Sequence, residues 1–384
     1  MRVLHNITSL GAGGAERSLA EMLPAFDAAG IESSIACMVR KPDGVHESVE
    51  SAGYTVRVVG ADRLKATRRI RRVIGAWEPD IVHTTIFDAD VLGRLAALGK
   101  PCKVLTSLVN TTYEGVRVAD TGINPFKFAA AKAVDRTTAR YMTDHFHAIS
   151  SAARDSAIRH MGIPSDRITV VNRGRNLERL GTPSRERRAA VRCKLDLPSD
   201  AEVVLHTGRQ EQQKGLGALL EAIVTLMAER PHLVMLQAGR EGKATQDLHR
   251  IMTNAGVATR IRFLGHRADV GDLLAASDVF VFPSIYEGAA GSVLEAMAMR
   301  VPIVVSDIPA LSDVVEPGRA GVVVPVGDRS ALAQAIGHLL DHPDEAAQMA
   351  DRAQRIFLDR FTLERSVEGM VDLYRKVLAE GKVL

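Results

Sequence analysis

The chain has 384 residues, 46% of them hydrophobic and 25% charged, and carries a formal net charge of +3. That length favours two domains, each able to bury its own core. The charge is too small to argue for nucleic acid and suits an anionic small molecule or an acidic membrane surface.

Cys37, Cys102 and Cys193 are widely spaced, with no Cys-x-x-Cys, so neither a disulfide framework nor a zinc site is expected. The opening MRVLHNITSLGAGG has too short an apolar run for a secretory signal. No stretch approaches the roughly 20 apolar residues of a spanning helix. The expected location is the cytoplasm, with peripheral contact at the inner membrane face as an open alternative.

Short apolar runs alternate with helical periodicity along the chain. Val3–Ile7, Ser34–Val39, Val56–Val58, Ile81–Thr84, Lys103–Ser107, His145–Ile149 and Ile168–Val171 read as strands of a first parallel sheet. Directly after the first strand, GAGGAERSLAEML sets Gly11, Gly13 and Gly14 where the backbone can turn tightly and approach a ligand. Glu16 stands where a dinucleotide fingerprint needs its third glycine, which counts against a nicotinamide enzyme. The loop is either a plain strand-to-helix turn or one wall of a ligand site. The segment 63–77, RLKATRRIRRVIGAW, puts Leu64, Ile70, Val73, Ile74 and Trp77 on one helical face, with most of its arginines elsewhere. It reads as a helix packed on the sheet with a basic outer face, or else as a surface for anionic lipids. Asp88-Ala-Asp90 reads as a helix start, and no metal is expected.

Asn172-Arg-Gly-Arg-Asn176 closes the first series. It is either an exposed hinge or a means of presenting Arg173 or Arg175 to an anionic part of a ligand. The charged, Arg-rich stretch 176–200 holds the domain boundary. We expect a first domain at 1–178, a second at 179–360, and a C-terminal helix at 361–384 returning toward the first.

The second series of strands is Val203–Thr207, His232–Ala238, Ile261–Leu264, Val279–Phe282, Pro302–Ser306 and Gly321–Val324. In HTGRQEQQKGLGALLEA, Arg209 and Lys214 follow a strand, and two cations there can neutralise a diphosphate or charge developing on a departing phosphate. The turns QAGREG and FLGHR follow later strands. Backbone groups near His266 and Arg267 read a nucleotide base, or these are ordinary turns. The most informative run is PSIYEGAAGSVLEAMAMRVPIVVSD at 283–307, with Glu287 and Glu295 on either side of a Gly/Ala-rich turn. A helix starting near Gly291 or Ser292 aims free backbone N–H groups between the two acids. Carboxylates there accept hydrogen bonds from sugar or ribose hydroxyls. Two doubly wound domains would leave a cleft at their strand ends, and this run would face it.

Taken together, Gly208-Arg209…Lys214-Gly215, Pro283-Ser284, Glu287-Gly288 and Glu295-Ala296-Met297 resemble the family 4 glycosyltransferases, retaining enzymes of the GT-B fold. The resemblance covers essentially the whole chain and is strongest from about 200 to 330. It implies two Rossmann-like domains and transfer of a hexose-type sugar from a UDP- or GDP-sugar to a glycan, lipid-linked or small-molecule acceptor. It implies no cofactor and no required metal. Arg209 and Lys214 would hold the donor diphosphate, Glu287 the donor sugar and Glu295 the ribose. Gly288, Ala289, Ala290, Gly291 and Ser292 would complete the donor contacts, with Gly14, His266 and Arg267 at its edges.

Three departures stand out. Ala289-Ala290 replaces the family's Phe-Gly, and Arg300 replaces a glycine after a helix end. Val109 or Asn110 stands where many members carry a histidine near the reaction centre. Asn110 can bond a sugar hydroxyl but cannot take a proton, and His83 is a substitute by position. A sugar-nucleotide epimerase, a sugar phosphorylase, or a silent nucleotide-sugar binding module remain the alternatives on the same plan.

Overall fold

The structure of the protein is a computed structural model that describes residues 1–11, 13–42, 44–115, 124–289 and 291–380. It divides into two units, Met1–Gly174 with Leu363–Leu384, and Arg175–Thr362.

In the first unit, strands β1 (Arg2–Ser9), β2 (Glu32–Val39), β3 (Thr55–Val58), β4 (Ile81–Thr85), β5 (Lys103–Leu108), β6 (His145–Ala148) and β7 (Ile168–Val170) form one parallel sheet in the order 3-2-1-4-5-6-7. Its strands are apolar on both faces, as a sheet covered by helices on both sides requires. Leu4, Val82 and Val104 pack on the helices Arg63–Trp77 and Phe87–Ala97. On the opposite face Val3, Ile81 and Leu105 pack on Phe26 and on Met370 and Tyr374 of the last helix, Leu363–Ala379. The C-terminal helix is thus part of this unit's core.

The second unit repeats the plan. Strands β8 (Glu202–Thr207), β9 (Leu233–Ala238), β10 (Ile261–Phe263), β11 (Val279–Phe282), β12 (Ile303–Ser306) and β13 (Val322–Val324) are parallel, in the order 10-9-8-11-12-13. Each sheet reverses its order once, between β1 and β4 and between β8 and β11. Ligands of open α/β sheets bind outside the strand carboxyl ends at such points.

The unit boundary falls at 174/175, a few residues before the expected 178. Asn176 caps the short helix Leu177–Leu180 by accepting from Glu178 N at 2.8 Å, and Leu180 joins the second unit's core. In the basic helix, Ala66, Ile70 and Ile74 are the buried residues, whereas Leu64 lies exposed. A small residue faces the sheet at 66, so the buried stripe runs through it and leaves Leu64 outside. Arg69 and Arg71 donate to the carbonyls of Val59, Ala96 and Leu98, which ties part of the basic face to neighbouring loops.

Arg300 has φ 55°, in the left-handed region that favours glycine, and its side chain pairs with Asp351. The chain keeps the turn that a glycine would make there and accepts a strained backbone for it. The pair is half-exposed and contributes little. Arg300→Gly is therefore expected to stabilise the chain by about 0.5 kcal/mol. A lower thermal midpoint for the variant would contradict this.

Candidate functional site

The motif residues of the second unit gather at the switch point between β8 and β11. After β8 the chain makes a short 3-10 turn, Gln212–Lys214, and Gly215 (φ 64°) then opens the helix Leu216–Glu229. A Cβ on Gly215 would stand 2.0 Å from the Pro283 carbonyl oxygen, so only glycine lets the two loops touch. They are stitched by Ile285 N donating to Gln213 O and by Gln213 Nε2 donating to Tyr286 O, both at 2.8 Å.

This stitching brings Lys214 Nζ to 2.6 Å from Glu287 Oε1, with the two side chains only 14% and 10% exposed. The ammonium also lies 4.8 Å from the centre of the Phe282 ring. Phe282 in turn stacks on His206, which burial holds neutral with its pKa lowered to about 3. A neutral imidazole under Lys214 avoids setting a second buried cation beside it.

The helix expected near Gly291 or Ser292 runs Gly291–Ala298, with Glu295 in its second turn. Arg175 Nε lies 3.3 Å from Glu295 Oε1. Its guanidinium fills the space at Gly291 so closely that a Cβ there would meet it at 1.9 Å. Arg175 thus sits at the helix start together with Glu295, a pairing that no local spacing reveals. Arg209 is 64% exposed and 3.6 Å from Glu211, near the motif and free to reorient. Gly288 is buried, while Ala289 and Ser292 are half-buried; Ala290 lies outside the described residues. His266 is exposed, and Arg267 is held in a two-pronged pair with Asp269.

The first unit places the remaining candidates in two neighbourhoods. Gly14 starts the helix Gly14–Ala28, and a Cβ on it would meet Arg173 at 2.9 Å, so these two adjoin. Beside them His83 is sealed into a chain of hydrogen bonds. Its Nδ1 lies 2.7 Å from the Tyr374 hydroxyl and its Nε2 2.7 Å from Ser107 Oγ; Ser107 Oγ is 2.8 Å from His147 Nδ1, and His147 Nε2 is 3.0 Å from the Val171 carbonyl. A carbonyl only accepts, so the whole chain runs one way, with Tyr374 donating to His83, His83 to Ser107, Ser107 to His147 and His147 to Val171. Burial, and then the neighbouring His5 and His147, hold the His83 pKa well below its usual value. Both His83 nitrogens are occupied within this chain of bonds.

Asn110 is exposed and borders a cavity at the carboxyl ends of β4 and β5. Asp90 lines the same cavity from the first turn of the helix Phe87–Ala97. The sequence places that aspartate at a helix start but gives no sign that it is buried.

A family model described as Glycosyltransferase Family 4 matches residues 12–179, and one described as Glycosyl transferases group 1 matches 201–342. The lipopolysaccharide core biosynthesis glycosyltransferase LpsE of Rhizobium meliloti is 32% identical over 191 residues, covering 50% of this chain and 54% of that protein. The alpha-D-kanosaminyltransferase of Streptomyces kanamyceticus is 27% identical over 327 residues, covering 82% and 81%. Among solved structures, Anabaena HepE in complex with UDP superposes with a TM-score of 0.85 at 22% identity, covering 98% of this chain and 100% of that one. That likeness shows the fold, which is the GT-B type. With both halves matched in sequence and the motif side chains assembled at one switch point, the chain belongs to the family 4 glycosyltransferases of group 1.

Proposed function

We propose that the protein transfers a sugar, with retention of configuration, from a nucleoside diphosphate-sugar to a hydroxyl of a carbohydrate or lipid-linked acceptor. The observation that carries this is the Lys214–Glu287 pair, held at 2.6 Å by glycine-dependent loop contacts beside a helix start. Lys214 can turn from Glu287 to an incoming diphosphate, which frees Glu287 for sugar hydroxyls. Arg175 and Glu295 form a matching pair at the helix start, one for phosphate and one for ribose. The negative charge of the departing diphosphate falls to Lys214, Arg209, Arg175 and the backbone N–H groups of the helix 291–298. UDP is the favoured nucleotide, supported by the UDP and UDP-glucose complexes of HepE.

Thermal melts of the full chain with UDP, GDP, ADP and the corresponding nucleotide-sugars test this. Ligand at about 100 times its Kd adds about 2.7 kcal/mol, a shift of several degrees. UDP and one UDP-sugar are expected to give it, and Lys214→Ala to remove it. A panel without any shift would sink the donor assignment. Proton NMR of fresh product, read at the anomeric centre, decides retention.

A further inference from the structure

The cavity at the carboxyl ends of β4 and β5 has a volume of about 150 Å³ and lies wholly within the first unit. Its lining is mixed. Phe87, Leu108, Val109 and Met161 present apolar surface, and Asn110 and Thr112 present polar groups. Mixed walls of this kind suit a pyranose or cyclitol ring, whose C–H faces and hydroxyls alternate. A charged cluster forms part of the same lining. Arg94, on the same helix as Asp90, bonds Asp135 Oδ1 at 2.6 Å, and Tyr113 donates to Asp135 Oδ2 at 2.7 Å. Arg94 also donates to Thr106 and Thr138, so its hydrogen bonds go to this cluster.

Asp90 is the group left over. It is 8% exposed, and among the described residues its Oδ1 has no hydrogen-bond partner. Burial is the main cause that raises its pKa to about 7; Asp135 adds to the rise, while Arg94 and a bond to Thr84 oppose it. Both forms are therefore populated near neutral pH, and Oδ1 is orphaned in each. Ionised, it is an acceptor without a donor; protonated, a donor without an acceptor. A hydroxyl both donates and accepts, so it satisfies either form. An ammonium satisfies only the ionised one. The chain also enters this helix through Ile86 at φ 77°, a costly conformation for a β-branched residue.

We infer that this cavity binds a polyol, a sugar or cyclitol ring, and that Asp90 is the side chain that holds one of its hydroxyls. This rests on the acceptor reading above and names the residue that selects the acceptor. The test uses the full chain and ligand-observed saturation-transfer NMR with methyl α-glucoside, methyl α-mannoside, methyl β-galactoside and myo-inositol as probes. At least one probe is expected to bind the wild type. Asp90→Asn should weaken it about tenfold, the loss on replacing a charge-assisted hydrogen bond with a neutral one. Asp90→Leu should abolish it. Polyol binding in the wild type should persist on both sides of neutral pH, because a hydroxyl meets both forms of the carboxyl, and should strengthen by up to about tenfold as the carboxyl ionises.

A purely structural Asp90 would show itself in stability. A carboxyl whose folded pKa lies above its unfolded value binds protons more tightly when folded, so its contribution turns against the fold as pH rises from about 4 to about 7. Asp90→Asn removes that cost, and its melting temperature should match or exceed the wild type at neutral pH. The proposal is overturned if no probe binds the wild type, if binding persists unchanged in both variants, or if Asp90→Asn melts well below the wild type. UDP binding, measured in the same samples, keeps the two readings apart. Polyol binding lost with UDP binding intact refutes this site alone. UDP binding absent with Asp90-dependent polyol binding intact refutes the donor reading alone.

Discussion

Replacing Lys214 with alanine is expected to lower sugar transfer by about 10² to 10³-fold. The expectation follows from how firmly the ammonium is placed. Lys214 ends a 3-10 turn whose neighbour Gly215 admits no side chain, and the turn is bonded to the loop that carries Glu287. Alanine removes the cation from a donor diphosphate and leaves the mostly buried Glu287 carboxylate without its 2.6 Å partner. Lys214→Arg should rescue little, since a planar fork cannot occupy the position of a compact ammonium 4.8 Å from the Phe282 ring centre. The measurement is initial rate with an identified UDP-sugar, alongside donor hydrolysis without acceptor. Near-normal turnover in a folded Lys214→Ala protein would remove Lys214 from the site.

The largest stability effect is expected at Arg94. It is 1% exposed and joins three elements, its own helix Phe87–Ala97, β5 through Thr106, and the helix Pro125–Met142 through Asp135 and Thr138. Arg94→Met keeps much of the volume but strands Asp135 beside Asp90, two buried acids without a cation. Breaking a buried pair from one side typically costs about 3–5 kcal/mol. Chemical denaturation should show that loss. Adding Asp135→Asn should recover part of it, because the second change removes the stranded charge. A loss below about 1 kcal/mol would mean that water reaches the cluster.

The strands were almost fully legible. Each of the thirteen apolar runs is a strand, because a sheet covered on both faces writes its pattern as continuous Val, Ile and Leu. The helix at Gly291 was legible too, from a glycine turn ahead of an apolar run. What stayed hidden depends on contacts between distant residues. The His83–Tyr374 bond spans 291 positions, and nothing near His83 announces that both its nitrogens are taken. Asp90 reads as an ordinary helix-start aspartate because its neighbours Arg94 and Thr84 are themselves buried by the fold. In sequence Arg175 reads equally as part of an exposed hinge or as an anion contact, and only the folded unit pairs it with Glu295. Periodicity puts Leu64 in the buried stripe because it finds the apolar stripe but not which small residue lies at its centre.

The last helix has a bearing on how the chain folds as it is made. Met370, Tyr374 and Val377 complete the core against β1, β4 and β5, yet they are synthesised after the whole of the second unit. The second unit is continuous in sequence and can close while its residues leave the ribosome. The first unit must wait through the translation of nearly two hundred residues with Val3, Phe26 and Leu105 lacking their cover. Until Tyr374 arrives, the hydrogen-bond chain through His83 lacks its first donor. The half of the protein made first is therefore the half finished last, and its early strands are the ones most in need of protection on the way.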